Sequence, residues 1–301
     1  MEFVLFLAAA LRISVPYALA SLGACFSERG GVINIALEGT MLNAALAYVL
    51  GANATGSPWA GAAAAVLAGV ATAALHALVV VRFRADQITS GLGLNLLAAG
   101  LTRFVLKQAF HSSSNSSRVV GFEGFTVPGL SAIPGIGPVL ASPLVLLTAL
   151  LVAGGHWLLF RSVFGLRLRA AGERPESLAT LGLSVELQRT LGVLVSGALA
   201  GLAGAWLASE QHSFTDGMTG GRGYIALAAM IVGKWSPAGA AAACLLFGAA
   251  EALQITLQGS AFPNELLQML PYVVTMLALA GFIGRAVPPR AIGIPYDPEA
   301  H

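Results

Sequence analysis

The stretch from Pro58 to Val81 reads PWAGAAAAVLAGVATAALHALVVV and contains no Asp, Glu, Lys or Arg. A helix needs about 20 apolar residues to cross the roughly 30 Å hydrocarbon core of a bilayer. The sequence therefore predicts a transmembrane helix over 58–81. Seven further stretches have a comparable length and apolar character, namely 3–25, 32–51, 88–106, 143–160, 190–209, 238–257 and 267–284.

The composition of the whole chain is that of a membrane protein. Of its 301 residues, 16 are Lys or Arg and 14 are Asp or Glu, so 10% are charged, whereas 56% are hydrophobic. Soluble domains carry about 25% charged residues, because their surface has to face water. The net charge of +2 argues against a nucleic-acid partner held by a basic field. We predict an all-α, polytopic membrane protein in which residues 1–301 form one domain embedded in lipid.

A ninth segment is shorter than the others. The apolar run from Tyr224 to Gly233 has ten residues and follows a glycine-rich stretch. As a helix it reaches only about half way across a bilayer, so we predict a short or broken crossing near 224–235. Ten Lys and Arg residues fall in one alternate set of loops and four in the other. By the positive-inside rule, nine crossings then place the N-terminus outside and the C-terminus inside.

Two long loops differ in character. Residues 108–141 contain a serine-rich run followed by many Gly and Pro residues, which predicts an irregular extracytoplasmic loop. Residues 161–190 hold eight of the 30 charged side chains and contain helix-forming runs. A simple connection between helices needs only about 2–8 residues. We therefore interpret 161–190 as a structured cytoplasmic segment with a partner, although a solvated helix without one is the alternative.

Sequence motifs of enzymes are missing. The chain has no nucleotide-binding loop, no HExxH and no GxSxG, so we expect no catalytic residue, no metal site and no cofactor bound by this chain. Cys25 and Cys244 stand alone in apolar stretches, which indicates packing roles. The spacing of Gly197, Gly201 and Gly204 is typical of closely packed membrane helices.

Four polar residues within the predicted spans are candidates for a transport path. Asn34 and Glu38 are four residues apart and share a helix face, and Asn43 lies about 140° round from Glu38. A carboxylate within a span costs about 2.5–3.5 kcal/mol on insertion scales, so Glu38 should face protein or water. It either lines the path or caps the broken backbone that Gly30–Gly31 predicts. The fourth candidate is Asn95 in the fourth span.

Other polar residues leave a second class of function open. Gln87 and Glu251 are similar candidates, and Arg12 in the first span needs an acidic or carbonyl partner. The carboxylates of Glu38 and Glu251 are compatible with a secondary transporter or channel that an ion gradient drives without an ATPase. Uptake by this chain alone, in vesicles without ATP, would distinguish that class.

Several segments carry a family resemblance. They are SERGGVINIALEG at 27–39, SGLGLNLL at 90–97, AGERPE at 171–176 leading to SGALAG at 196–201, and GRGYIALA at 221–228. In order and spacing they resemble the inner-membrane permeases of bacterial ABC importers for ribose-type sugars and nucleosides, of the branched-chain type. The resemblance covers about residues 10–285. The form of 28–39 is most similar to the shorter permease of nucleoside importers, because ribose-type relatives carry an Asp-Leu-Ser-type segment at 34–36.

The resemblance implies a function and a set of partners. The chain would be a non-catalytic, multi-pass subunit in the bacterial cytoplasmic membrane that moves a nucleoside, or a simple sugar, by alternating access. Its partners would be a homologous second permease, an ABC ATPase that uses ATP and Mg²⁺, and an extracytoplasmic substrate-binding protein. The loop 161–190 would contain the coupling helix that docks on the ATPase. The residues implied in that role are Ala171, Gly172, Glu173, Pro175, Glu176, Ala179 and Gly182.

Overall fold

The computed structural model describes residues 2–122, 129, 135, 137–258, 263–277, 280 and 287–297. These residues are mostly helical, and a π-helical turn at Leu78–Arg82 extends the third helix. The α-helices are α1 (Glu2–Arg29), α2 (Leu37–Thr55), α3 (Pro58–Ala77), α4 (Gln87–Phe110), α5 (Gly137–Leu140), α6 (Pro143–Arg161), α7 (Val163–Glu173), α8 (Pro175–Thr180), α9 (Val185–Gln211), α10 (Arg222–Val232), α11 (Pro237–Leu257) and α12 (Asn264–Leu277).

Within the described residues, six helices are long and apolar enough to cross a membrane. They are Phe3–Arg29, Pro58–Arg82, Gln87–Phe110, Pro143–Arg161, Val185–Gln211 and Pro237–Leu257. Each coincides with a predicted span. Three predicted segments remain. The segment near 224–235 corresponds to the short apolar helix α10, and the described part of 267–284 corresponds to α12. The segment 32–51 corresponds to α2, which has 19 residues, of which 11 are buried. Enclosure by other helices allows α2 to be less apolar than a lipid-facing span.

The second span begins later than predicted. The hydropathy pattern placed its start at residue 32, whereas α2 begins at Leu37 and residues 32–34 are irregular. Gly31, which follows α1, has φ of 91°, a left-handed conformation that glycine adopts without a Cβ clash. Val32 and Ile33 continue the apolar pattern without being helical. Hydropathy cannot detect such an irregular segment, because it responds to burial and not to backbone conformation.

Helix α1 packs between α9 and α11 and runs antiparallel to both. Gly23 of α1 lies so close to α9 that a Cβ atom there would be 2.8 Å from the Ser196 carbonyl oxygen. On the α11 side, the Ser21 hydroxyl lies 3.2 Å from the Cys244 sulfur. Cys244 and Cys25 are both fully buried, so the predicted packing role of the cysteines is confirmed.

Glycines of α9 make backbone contacts with two other helices. A side chain on Gly197 would overlap the backbone of Gly69 in α3, and one on Gly201 would overlap that of Ala65. A side chain on Gly204 would likewise overlap the Met41 carbonyl of α2. This close approach explains the small-residue spacing, and it confirms the helix-packing interpretation.

The two loops singled out in the sequence contain short helices. Residues 161–190 form α7, α8 and the start of α9. In the described part of 108–141, the backbone N–H groups of Ser116 and Val119 donate to the carbonyls of Phe214 and His212. The segment that follows α9 therefore lies against this loop.

The start of α1 and the C-terminal residues 287–297 lie at opposite ends of the helix bundle. The N–H of Gly293 donates to the carbonyl of Gly31 at 3.1 Å, just beyond the last residue of α1. Since α1 has 28 residues, its first turn lies about 40 Å away along the helix axis.

Candidate functional site

Two helices begin inside the bundle, and their N-terminal ends meet at Glu38. This residue lies in the first turn of α2. Its Oε1 accepts a hydrogen bond from the N–H of Gly221 at 2.8 Å, and its Oε2 accepts one from the N–H of Gly223 at 2.7 Å. Free N–H groups give a helix N-terminus partial positive charge. The carboxylate therefore compensates the first turns of both α2 and α10.

The sequence left open that Glu38 caps the broken backbone at Gly30–Gly31, and the structure places its hydrogen bonds elsewhere. Glu38 does bind broken backbone, but the break is the one before α10 and not the one at Gly30–Gly31. Gly223 permits this contact, because a Cβ atom there would overlap the backbone of Glu38. An aliphatic side chain at position 223 would push α10 away from the carboxylate.

The Glu38 contact lies at an intermediate depth of the bundle. Helix α10 has 11 residues, which corresponds to a length of about 16 Å. Its far end is followed by Trp235, whose carbonyl accepts from Arg29 Nε at 2.9 Å and whose Nε1 donates to Glu28 Oε2 at 2.7 Å. Glu28 and Arg29 are the last residues of α1. The contact is therefore separated from the end of α1 by about half the thickness of a bilayer core.

Asn95 joins three helices around the same point. Its Oδ1 accepts from the N–H of Gly39 at 2.8 Å, and its Nδ2 donates to the Ile35 carbonyl at 3.0 Å. The same Nδ2 lies 2.9 Å from the hydroxyl oxygen of Tyr224, at the start of α10. Tyr224 is 43% exposed. Tyr224 is not among the four candidates that the sequence predicts, although its place directly after the glycine-rich segment is a usable signal.

Asn34 belongs to the irregular segment before α2, and it is buried. Its Nδ2 donates to Ser196 Oγ of α9 at 3.0 Å, while its Oδ1 has no hydrogen-bond partner among the described residues. The adjacent Ile33 is held by two side chains. Its N–H donates to Gln87 Oε1 at 2.7 Å, and its carbonyl lies 3.0 Å from His76 Nε2. Side chains from α3 and α4 thus bind this broken backbone, and α9 binds the side chain of Asn34.

Asn43 is separate from the other three candidates. Its Nδ2 donates to Thr72 Oγ1 of α3 at 3.2 Å. It lies one to two turns beyond Glu38 along α2 and faces α3. The structure therefore brings Asn34, Glu38 and Asn95 to the two helix breaks, and it places Asn43 in the α2–α3 contact.

Other charged residues in the helices are paired with charged residues of neighbouring helices. Arg12 of α1 is paired with Glu210 at the end of α9. Glu251 of α11 forms an ion pair with Arg222 Nη2 at 2.9 Å and also accepts a hydrogen bond from the Tyr17 hydroxyl. Each carboxylate is thus engaged by a fixed donor from another helix.

The residues implied in ATPase coupling lie in one helix–turn–helix. Ala171, Gly172 and Glu173 end α7, and Pro175 begins α8 at a position where its missing N–H is not needed. Ala171, Gly172 and Pro175 are buried, whereas the side chains of Glu173 and Glu176 are exposed. Ala179 lies in the last turn of α8, and Gly182 follows with φ of 72°. The arrangement presents a short, partly acidic helix beyond the end of α1.

Comparison with known sequences identifies the family. The profile of the family described as branched-chain amino acid transport system / permease component matches residues 6–279. The chain belongs to this permease family.

Individual relatives of the permease match over nearly its full length. It is 40% identical to the guanosine ABC transporter permease protein NupQ of Bacillus subtilis, over 96% of this chain and 95% of that protein. It is also 40% identical to the nucleoside ABC transporter permease protein NupC of Lactococcus lactis, over 95% and 94%. A second guanosine permease protein of B. subtilis, NupP, is 25% identical over 92% of this chain and 82% of its own length.

A solved structure shares the fold. An ABC transporter assigned to the metal-chelate type, in an inward-facing conformation, aligns with a TM-score of 0.51 over 92% of this chain and 85% of that chain, with 16% identity. Together with the family and the relatives, this identifies the permease as the transmembrane subunit of an ABC importer. Membership of the family implies a membrane location and partners that hydrolyse ATP and bind substrate. An ion-driven transporter without an ATPase, the alternative that Glu38 and Glu251 left open, does not agree with membership of this family.

Proposed function

We propose that the permease imports a nucleoside across the bacterial cytoplasmic membrane by alternating access, and that it hydrolyses no ATP itself. The observation that carries the choice of cargo is the 40% identity, over nearly the whole chain, to permeases named for guanosine and for nucleosides. A simple sugar is the second choice. Selectivity would reside mainly in the external binding protein, so the path itself needs only weak polar contacts.

The chemistry around Glu38 suits such a path. A nucleoside carries ribose hydroxyls that can donate to a carboxylate and a base that can stack on an aromatic ring. Glu38 and Asn95 supply polar groups at intermediate depth, and Tyr224, a partly exposed residue, lies beside them. Stacking of a base on an aromatic side chain contributes about 1–3 kcal/mol in nucleic-acid complexes. Asn34 and Asn43 would line more buried parts of the path.

A topology of nine membrane crossings agrees with a location in the cytoplasmic membrane. The start of α1 and residues 287–297 lie at opposite ends of the bundle, and an odd number of crossings produces that separation. The end that carries α7 and α8 is rich in arginine, which favours a cytoplasmic location. The N-terminus would then be outside and the C-terminus inside, and α10 with its preceding loop would make one broken crossing.

The segment 161–190 would be the coupling loop. Helix α8 is short, begins at Pro175 and exposes Glu176 together with Leu181 just after it. An exposed leucine beside exposed polar groups on a small helix is suited to a groove on the ATPase. Since ABC transporters use two ATPase sites, we also propose a second, homologous permease, as the pair NupQ and NupP of B. subtilis suggests. Mg²⁺ and ATP would bind the ATPase.

Reconstitution tests this function. The permease would be placed in vesicles with its ATPase, a second permease and the binding protein, and the uptake of labelled guanosine and ribose would be measured. We expect guanosine uptake that requires ATP and little uptake of ribose. Uptake of ribose alone would contradict the cargo, and uptake without ATP would contradict the mechanism.

Charge reversal tests the coupling loop. Glu176→Arg should release the ATPase from the complex and abolish uptake, because a cation would replace the exposed carboxylate of α8 in the contact. Glu265→Arg is a matched control, since Glu265 is an exposed carboxylate on α12. Normal ATPase binding and uptake in Glu176→Arg would reject the docking site.

A further inference from the structure

Three glycines that are far apart in the sequence meet at one point, which we call the glycine junction. They are Gly31 after α1, Gly172 near the end of α7, and Gly293 in residues 287–297, which we call the C-terminal strap. The Gly293 N–H donates to the Gly31 carbonyl at 3.1 Å, and the Ala291 N–H donates to the Gly172 carbonyl at 2.8 Å. A side chain on Gly172 would overlap the Arg29 carbonyl. The three segments are therefore in backbone contact.

Arg189 of α9 lies against this junction, and only 3% of its surface is exposed. Its Nη1 donates to the Ile294 carbonyl of the strap at 2.7 Å. Its Nη2 is 3.4 Å from the Ala171 carbonyl of α7 and 3.5 Å from the Ala291 carbonyl of the strap. Burying a charge is costly unless its donors are satisfied. Nε has no hydrogen-bond partner among the described residues, so the contacts of Nη1 and Nη2 are the ones that favour one relative position of α7, α9 and the strap.

The strap also contacts the segments on either side of the junction. Tyr296 packs against the buried cluster of Leu178 and Val185, which joins α8 to α9. Asp297 forms an ion pair with Arg84 at 2.9 Å, in the connection between α3 and α4. At its centre, a Cβ atom on Gly293 would lie 3.0 Å from Ile33 Cδ1 in the irregular segment before α2.

We infer that Arg189 and the C-terminal strap are a positioning device that transmits displacement of α7 and α8 to the irregular segment before α2. The inference rests on the proposed docking of the ATPase at α8. A shift of α8 moves Gly172, and Gly172 is in contact with the backbone of Gly31. The next residues include Ile33 and Asn34, and Glu38 follows four residues after Asn34, in the first turn of α2. A movement imposed by the ATPase thus reaches the Glu38 contact through the backbone.

The first test separates coupling from assembly. Arg189→Lys keeps the charge but loses the planar group that reaches Ile294 and Ala171 together. In the reconstituted importer, we expect the ATPase to remain bound and to hydrolyse ATP, while uptake per ATP falls about tenfold, a typical size for coupling between sites. Arg167→Lys is the control, because Arg167 is exposed on α7, and it should leave the ratio unchanged. A chain ended at residue 286, which lacks the strap, should behave like Arg189→Lys.

A covalent link provides a second test that does not depend on removing Arg189. Ile33→Cys and Gly293→Cys place one thiol on each side of the contact between the strap and the irregular segment, where a Cβ atom on Gly293 would lie 3.8 Å from Ile33 Cγ1. Loss of both free thiols on oxidation would show that the disulfide forms. If the two segments move together, the oxidised protein keeps its uptake. Loss of uptake on oxidation, with recovery on reduction, would show that they slide past one another and would overturn the inference.

The remaining outcomes are also decisive. An unchanged ratio of uptake to ATP in both Arg189→Lys and the shortened chain would reject the inference. Loss of ATPase binding in these variants would also reject it, since the strap would then be a docking surface. Failure of the proposed function would appear earlier, as wild-type vesicles in which the ATPase neither binds nor drives uptake.

Discussion

The two breaks in the helix bundle are built differently. In the irregular segment before α2, Ile33 is held at its N–H by Gln87 and at its carbonyl by His76, and the Ile35 carbonyl is held by Asn95. Before α10, the N–H groups of Gly221 and Gly223 depend on the single carboxylate of Glu38.

This difference separates a break held by several side chains from one that depends on a single side chain. Removing one of several side chains from the segment before α2 leaves the others in place. Removing Glu38 frees two N–H groups together and leaves the first turns of two helices without their compensating charge. We therefore expect mutations at the two breaks to differ in size and in kind.

The largest effect is expected from Glu38→Ala. Hydrogen bonds to a charged group contribute about 1.5–3 kcal/mol each, so losing two should lower the free energy of unfolding by about 3 kcal/mol or more. Guanosine uptake should fall with it, by at least about tenfold, because the start of α10 is released. Thermal melting of the purified permease and uptake by the reconstituted importer measure the two quantities.

Glu38→Gln makes this prediction sharper. The amide keeps one acceptor oxygen and places an NH₂ group against the second N–H, so its effect should be intermediate. Glu265→Gln on α12 serves as the control and should change neither quantity. If Glu38→Ala melted and transported like the wild type, the proposed contrast between the breaks would be wrong.

A smaller effect is expected from Gln87→Leu. This substitution leaves the N–H of Ile33 without its acceptor in a buried site, which costs about 1–3 kcal/mol. His76 and Asn95 still hold the neighbouring carbonyls. Melting should shift to lower temperature, while uptake per ATP stays at the wild-type ratio. A drop in guanosine uptake as large as that of Glu38→Ala would show that the first break is equally dependent on one residue.

The smallest effect concerns the cap of α4, the helix that carries Gln87. The Asp86 carboxylate accepts from the Thr89 N–H at 2.7 Å, and this hydrogen bond lowers the pKa of Asp86 below its ordinary value. A lowered pKa in the folded state means that the stabilisation is present above the unfolded pKa. It is lost as the pH falls through the lower, folded value.

Asp86→Asn isolates this contribution. Asparagine is also a good N-cap residue but does not titrate in this range. The difference in melting temperature between wild type and variant should therefore be constant near neutral pH. In acid, the melting temperature of the wild type should fall relative to that of the variant. A difference that does not change with pH would show that the ionised carboxylate of Asp86 does not stabilise α4.

Much of the fold could be predicted from hydropathy, because lipid-facing helices must be long and apolar. The start of α2 could not, since Val32 and Ile33 are apolar but irregular. Glu38 could be selected by its cost in a membrane. Its partner Gly221 could not, because 183 residues separate them and the partner atom is a backbone N–H.

Arg189 shows the same limit at the end of the bundle. In the sequence it was one of the charges assigned to the cytoplasmic side, whereas the structure buries it against three backbone carbonyls. Every residue type carries such carbonyls, so no sequence pattern indicates which of them a guanidinium will meet. Only the packing of α7, α9 and the strap brings them together.

The contact of Gly69 with Gly197 has a further consequence for the transport cycle. Where backbone touches backbone, no flexible side chain lies between α3 and α9 to absorb sliding. We therefore expect the pair to travel as one rigid body during transport. Conformational change must be confined to the parts that surround this pair, and probes placed on α3 and α9 should keep a constant separation throughout turnover.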